Sequence, residues 1–320
     1  MTSPFPNEPK LYAFLMWGRF QTCRVCCRCQ DNWPHTPALQ LIWMYPAYNA
    51  QLTGTRVQWP ESAALAAKTG FPGCDVAIMT AMKAGLDATR DTLAKYKLRA
   101  AAVDLPVDFR KDDETFQNGL KLLPDVASFA AAIDCPRMVT YILSSSDKPK
   151  PEQRKILLDR FRAVSDVLAR SHVRLGLEFL GPLHIRKAQP YEFIYRMDEM
   201  LAFAKECGSN CGLLLDTWHW HHAGATVDDI LAAGKERIVH VHFNDAARQA
   251  PEDVRDNQRL LPGEGVINLK GCLQALQKIG YADALSVEVF GRGLKEMPVE
   301  DAARLGFEAA IRTMREAGVV

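Results

Sequence analysis

The stretch "LLLDTWHWHHAG" at 213–224 crowds an aspartate, three histidines and two tryptophans onto neighbouring positions. These are residue types that bind metal ions and line sugar pockets. Its aspartate, Asp216, ends the apolar run "CGLLLD" (211–216), and three other runs end alike. Side chains alternate across a strand, so in a barrel one parity faces the interior. In "VRLGLEF" (173–179) the apolar set Val173, Leu175, Leu177 and Phe179 leaves Arg174, Gly176 and Glu178 inside. In "CGLLLD" the interior set is Gly212, Leu214 and Asp216; in "RIVHVHF" (237–243) it is His240 and His242; in "ALSVEV" (284–289) it is Ala284, Ser286 and Glu288. Four consecutive strands therefore aim Glu178, Asp216, His242 and Glu288 inward at their carboxyl ends. Three carboxylates that close repel one another strongly unless a cation neutralises them. One divalent metal ion answers this, and the ligand types suit Mn²⁺, Mg²⁺, Co²⁺, Fe²⁺ or Zn²⁺ without choosing among them. A single buried glutamate is ordinarily salt-bridged; four ligands at equivalent strand ends are harder to explain separately. His240 sits about 6.6 Å deeper and belongs to the packed layer beneath the site. Trp218 and Trp220 are either core residues or the apolar wall on which a sugar stacks.

These positions require eight strands. From about residue 38 short apolar runs alternate with amphipathic stretches, the pattern of a parallel sheet covered by helices. Besides the four above, the expected strands are "ALQLIWMY" (38–45), "CDVAIM" (74–79), "RAAAVDL" (99–105) and "RMVTYIL" (137–143). Between them Leu157, Phe161, Val164 and Leu168, and later Leu269, Cys272, Leu273 and Leu276, recur at helical spacing. Pro60 opens the first helix and Gly70 ends it; Asn268 caps the seventh and Gly280 closes it. Eight such pairs predict an α/β fold, a (β/α)8 TIM barrel over residues 38–320. The alternative, a doubly wound open sheet, is weakened because no glycine-rich dinucleotide fingerprint follows the first strand.

A chain of 320 residues with 48% apolar and 24% charged residues has the composition of a soluble globular protein. A net charge of +1 gives no broad attraction to nucleic acid or to an acidic membrane surface, so neither is expected as a partner. No apolar run approaches the roughly 18 residues a membrane span needs, and "LYAFLMW" (11–17) lacks a small-residue cleavage site after it. The expected location is the cytoplasm, with a homo-oligomer left open. Five of the nine cysteines are scattered (Cys74, Cys135, Cys207, Cys211, Cys272), as isolated thiols are in a reducing compartment. The other four crowd into "CRVCCRC" (23–29), and no second pair follows to complete a zinc site. Residues 1–37 are expected to be a disordered, dispensable extension, or to lie upstream of a later start such as Met44.

Taken together, "LGLEFLG" (175–181), "LLLDTWHWHHAG", "IVHVHFNDA" (238–246), "RLLPGEGVINL" (259–269) and "SVEVF" (286–290) resemble the xylose isomerase-like TIM barrel superfamily of sugar phosphate isomerases and epimerases. The resemblance is strongest to its inosose isomerase-like branch. It implies that Glu178, Asp216, His242 and Glu288 hold one divalent metal, in agreement with the parity argument. It further implies that His219 and Arg259 contact substrate, with Asp245 a supporting or substrate group. The implied activity is that of a sugar or keto-inositol isomerase or epimerase. Glu178 and Glu288 would exchange a proton next to a carbonyl through a metal-stabilised enediolate. The substrate is a small sugar or cyclitol. Loss of hydroxide instead would make a dehydratase of the keto-inositol or 3-dehydroshikimate type, and a non-catalytic sugar-binding role also stays open. A DNA-repair (AP) endonuclease of the same superfamily is disfavoured, because none of the eight histidines falls on the second or third strand. Xylose isomerase itself is disfavoured by the absence of lysine in "LEFLGP". "PGEG" (262–265) reads as a tight turn over the site, not a phosphate cradle.

Overall fold

The computed structural model describes residues 44–320. The extension 1–37, its Cys23–Cys29 cluster and positions 38–43 of the first expected strand lie outside the described residues. The main sheet is wholly parallel in its pairings. Its strands are β1 (Tyr45–Tyr48), β2 (Gly73–Cys74), β3 in two pieces (Arg99–Ala100 and Val103–Asp104), β4 (Arg137–Ile142), β5 (Arg174–Phe179), β6 (Cys211–Asp216), β7 (Ile238–His242) and β8 (Ala284–Val287). Order within it runs from the first piece of β3 through β2, β1, β8, β7, β6, β5 and β4 to the second piece of β3. The two edges of the sheet are thus halves of one interrupted strand: Arg99 pairs with Gly73 of β2, and Val103 with Met138 of β4. That strand closes the barrel. Bonds of 2.9 Å from Ala101 N to Cys74 O and from Val76 N to Ala102 O carry the pairing across the interruption.

Burial follows the expected parity. Leu175, Leu177, Leu213, Leu215 and Val241 join the large core under the helices, while Ala102, Val139 and Leu214 form a separate cluster inside the barrel. The helix Lys150–Arg170 buries Leu157, Phe161, Val164 and Leu168; Leu269–Lys278 buries Leu269, Cys272, Leu273 and Leu276. Asn268 caps the latter by accepting from Gly271 N. All five cysteines among the described residues are buried free thiols, packed as small apolar residues. No helix among the described residues is long and apolar enough to cross a membrane.

Three expectations need correction. Within the described residues the first strand, expected to end at Tyr45, instead begins there and runs to Tyr48. "CDVAIM" is not one strand: β2 ends at Cys74 and a helix, Ile78–Ala84, begins within the run. A short apolar run fits either period, and here Ile78 and Ala81 are buried at helical spacing while Met79 is exposed. β8 likewise stops at Val287, so Glu288 projects from the first residue beyond its strand.

The amino end of the barrel is plugged by charge. Arg137 ion-pairs with Asp283 at 2.5 Å through one nitrogen and donates to the carbonyls of Ala101 (2.5 Å) and Ala100 (2.9 Å) through its others. The carboxyl end is instead open, as a cavity of about 740 Å³.

Candidate metal centre

Glu178, Asp216, His242 and Glu288 converge at the floor of that cavity, with one potential ligand atom from each lying within 4.8 Å of the others. His242 Nδ1 is 3.1 Å from Glu288 Oε2, 3.7 Å from Glu178 Oε1 and 3.8 Å from Asp216 Oδ2. Adjacent donors at about 2.1 Å from one ion would stand roughly 3 to 3.4 Å apart, so the cluster is close to the size a cation needs. The decisive observation is that Glu178 Oε1 and His242 Nδ1 are both buried and make no hydrogen bond of acceptable geometry. Buried polar atoms are normally satisfied. Two orphans aimed at one point, among oxygen and imidazole donors, fit a divalent ion.

Burial dominates the electrostatics. It pushes the Glu178 carboxyl up to about 8, with Asp216 adding repulsion. Burial also acts against Asp216, but Arg259, His219, His242 and a backbone N–H hold it at about 2. His242 is disfavoured as a cation by burial, yet Glu288 and Glu178 keep it protonated well above the usual imidazole range. Glu288 is held below the usual carboxylate range by His242 and Arg259 against the same burial.

Asp216 is positioned by its own helix. Its Oδ1 caps Thr217–His222, accepting from Trp218 N (2.7 Å) and His219 N (3.2 Å). Asn244, which continues the interior column of His240 and His242, donates to both Asp216 oxygens (3.2 and 3.1 Å) and to the Glu288 carbonyl (3.1 Å). Thr217 Oγ1 locks Asn244 in place at 2.8 Å. Strand parity, extended one step past β7, would have found Asn244. His240 lies in the layer below, as expected. Ser286 Oγ donates to Asp75 (2.7 Å) and meets His240 Nε2 at 2.9 Å. With the hydroxyl proton so engaged, Nε2 must donate, and burial, which holds the imidazole well below its ordinary range, keeps the ring neutral.

Arg259 reaches the cluster itself. It donates to Asp216 Oδ2 (2.7 Å) and Glu288 Oε2 (2.8 Å), and holds Asp256 at 2.9 Å. It is 2% exposed between the rings of Trp218 and Phe290. His219 Nε2 is 3.2 Å from an Arg259 nitrogen that can only donate, so Nδ1 carries the imidazole proton. Burial keeps His219 neutral, pushed down to about 4. Both residues line the cavity.

Trp218 and Asp245, expected as substrate groups, do not line it. Trp218 is 1% exposed and packs as a core residue behind Arg259. Asp245 is turned the other way and holds the "PGEG" loop, accepting from Gly263 N (3.1 Å), Gly265 N (2.9 Å) and Ile267 N (3.0 Å). Gly265 is needed for that approach, since a Cβ there would lie 2.5 Å from Asp245 Oδ1. The sequence reading missed the facing wall: Asn49, Trp59, Asp75, Asp104, Arg110 and Tyr141. These come from the first half of the barrel, where the motifs are sparse.

Fold and cluster define a TIM-barrel protein with a carboxylate-and-imidazole centre at the carboxyl end of its strands. A family model described as xylose isomerase-like TIM barrel matches residues 63–317, and the chain belongs to that family. An inosose isomerase of Halalkalibacterium halodurans is 24% identical over 257 residues, 77% of this chain and 88% of the relative. Among solved structures, a xylose isomerase domain protein from Alicyclobacillus acidocaldarius superposes with a TM-score of 0.79 at 30% identity, covering 86% of this chain and 99% of the other. The IOLI protein with a binding zinc atom has a TM-score of 0.71 at 22% identity, with coverage of 86% and 99%.

Proposed function

We propose that the protein is a divalent-metal-dependent isomerase or epimerase of a sugar or keto-inositol, acting by proton transfer next to a carbonyl. The observation that carries this reading is the pair of orphaned ligand atoms, Glu178 Oε1 and His242 Nδ1, at the floor of a cavity lined by polar and aromatic groups. The inosose isomerase relative supports the substrate class. Glu178, Asp216, His242 and Glu288 would hold the ion, which when bound stabilises negative charge on a substrate oxygen.

The protein groups divide the remaining work. Glu178 and Glu288 come from strands on either side of β6 and β7, so they flank a substrate carbon from two directions. One carboxylate removes the carbon-bound proton and the other returns a proton to the same carbon or its neighbour. Return to the same carbon gives epimerisation; return to the neighbour gives isomerisation. Arg259 offsets charge on Asp216 and Glu288 throughout, and neutral His219 orients beside it.

Incubating the Mn²⁺-loaded protein in D₂O with keto-inositols and ketoses is the test. Deuterium is expected on the carbon next to the carbonyl. Ultraviolet absorbance of an enone without that exchange would replace this reading by a dehydratase, and no reaction with any member of either class would overturn it.

A further inference from the structure

Across the barrel from the metal ligands lies a second polar wall that the proton transfer does not use. Asp104 ends β3, four strands away from β7 and its His242, and lines the same cavity. Its surface is open to that cavity, and among the described residues its carboxylate accepts no hydrogen bond and joins no ion pair. The neighbouring cation does not answer it: Arg110 donates to the Tyr141 carbonyl and stacks on the rings of Phe109 and Tyr141. Asp75, on the same side, already accepts from Asn49 (2.8 Å) and Ser286 (2.7 Å). A second, independent observation points to a ligand here. Trp59 lines this wall at 3% exposure, and its indole N–H has no acceptor.

We propose that Asp104 is the specificity-determining residue for the far side of the substrate, accepting hydrogen bonds from the hydroxyls of a neutral polyol. This rests on the reading of the site as one for a sugar or cyclitol. An ionised carboxylate is an acceptor only, with room for several donors, and adjacent hydroxyls supply them. A phosphate, carrying about −1.5 to −2 charge, would instead face two carboxylates, Asp104 and Asp75, against a single guanidinium, Arg110, that is already turned to the Tyr141 carbonyl and stacked on aromatic rings. The wall therefore selects unphosphorylated substrates. Trp59, in the same wall, adds a buried indole N–H that has no acceptor among the described residues.

The test uses the full chain loaded with Mn²⁺ and myo-inositol as an inert probe, with affinity read by calorimetry. Asp104→Asn and Asp104→Ala are expected to weaken binding about tenfold to a hundredfold while Mn²⁺ uptake stays unchanged, and Trp59→Phe to weaken it several-fold. An inositol monophosphate should bind at least tenfold less tightly than inositol, and Asp104→Asn should narrow that gap. In turnover, Asp104→Asn should raise KM with kcat nearly constant. Wild-type protein that does not bind inositol, variants that bind like wild type, tighter binding of the phosphate, or a fall in kcat at constant KM would each overturn the proposal. Failure of the reaction is separable. Asp104-dependent binding without deuterium exchange removes only the isomerase reading, and exchange with Asp104-independent binding removes only this one.

Discussion

The two ends of the barrel bury charge on opposite terms. At the amino end Arg137 is complete, with Asp283 and two backbone carbonyls as partners. At the carboxyl end Arg259 pairs with Asp216 and Glu288, but Glu178 Oε1 and His242 Nδ1 stay unmatched. Both clusters take charged side chains largely out of water, the upper one more completely. Buried charge alone therefore does not mark a site. What distinguishes the upper cluster is capacity left over for something the chain does not contain.

The sharpest way to separate the two ends is Glu288→Gln. It should lower the rate of deuterium exchange by about 10²- to 10⁴-fold with a smaller loss of stability than at the amino end, since the amide oxygen can still accept from Arg259, which also keeps Asp216 and Asp256. Arg137→Met should do the reverse. Removing one partner strands Asp283 and costs about 3 kcal/mol, the low end for such pairs because Asp283 keeps 29% of its side chain exposed. Urea unfolding should show that loss, while the folded fraction retains full exchange activity. The smallest effect is on pH. Burial raises Glu178 to about 8, and His242 is held protonated by its carboxylate neighbours, so at pH 7 the ion-free cluster carries protons that a cation must displace. Mn²⁺ affinity should rise with pH by about tenfold per unit for each proton displaced, and less steeply above about 8, where Glu178 has ionised and only the His242 proton remains to be lost. Calorimetry in buffers of different ionisation enthalpy should count one to two protons released. No release would mean that the upper cluster is as complete as the lower.

The second half of the barrel was legible because its strands β5, β6 and β7 run five or six residues and each ends in a polar residue of the interior parity, even though β7 has a register irregularity between Ile238 and His240. In β5, β6 and β7 the period of two separates core leucines and valines from Glu178, Asp216 and His242, and the structure keeps those sets apart. The first half was not. β2 has two residues, β3 is broken, and neither is long enough to show a period. Asp75 and Asp104 were therefore invisible as a facing pair of strand-end carboxylates. For Trp218 and Asp245 the sequence left two roles open, core or sugar wall and supporting or substrate group, because both lie just past ligand strands, where the chain has left the strand and parity no longer applies. Asn244 was lost for the opposite reason, since parity still held there.

The loop that delivers Arg259 is closed at its base by a two-residue antiparallel ribbon, with Asp245 opposite Leu260 and Ala246 opposite Arg259. Its outer residues, Gln249–Asp253, are exposed. Lengthening a loop whose ends are already tied costs little, about 0.6 kcal/mol per doubling. Segment 247–253 is thus a position where inserted sequence should be tolerated while the ribbon keeps the guanidinium of Arg259 in its place.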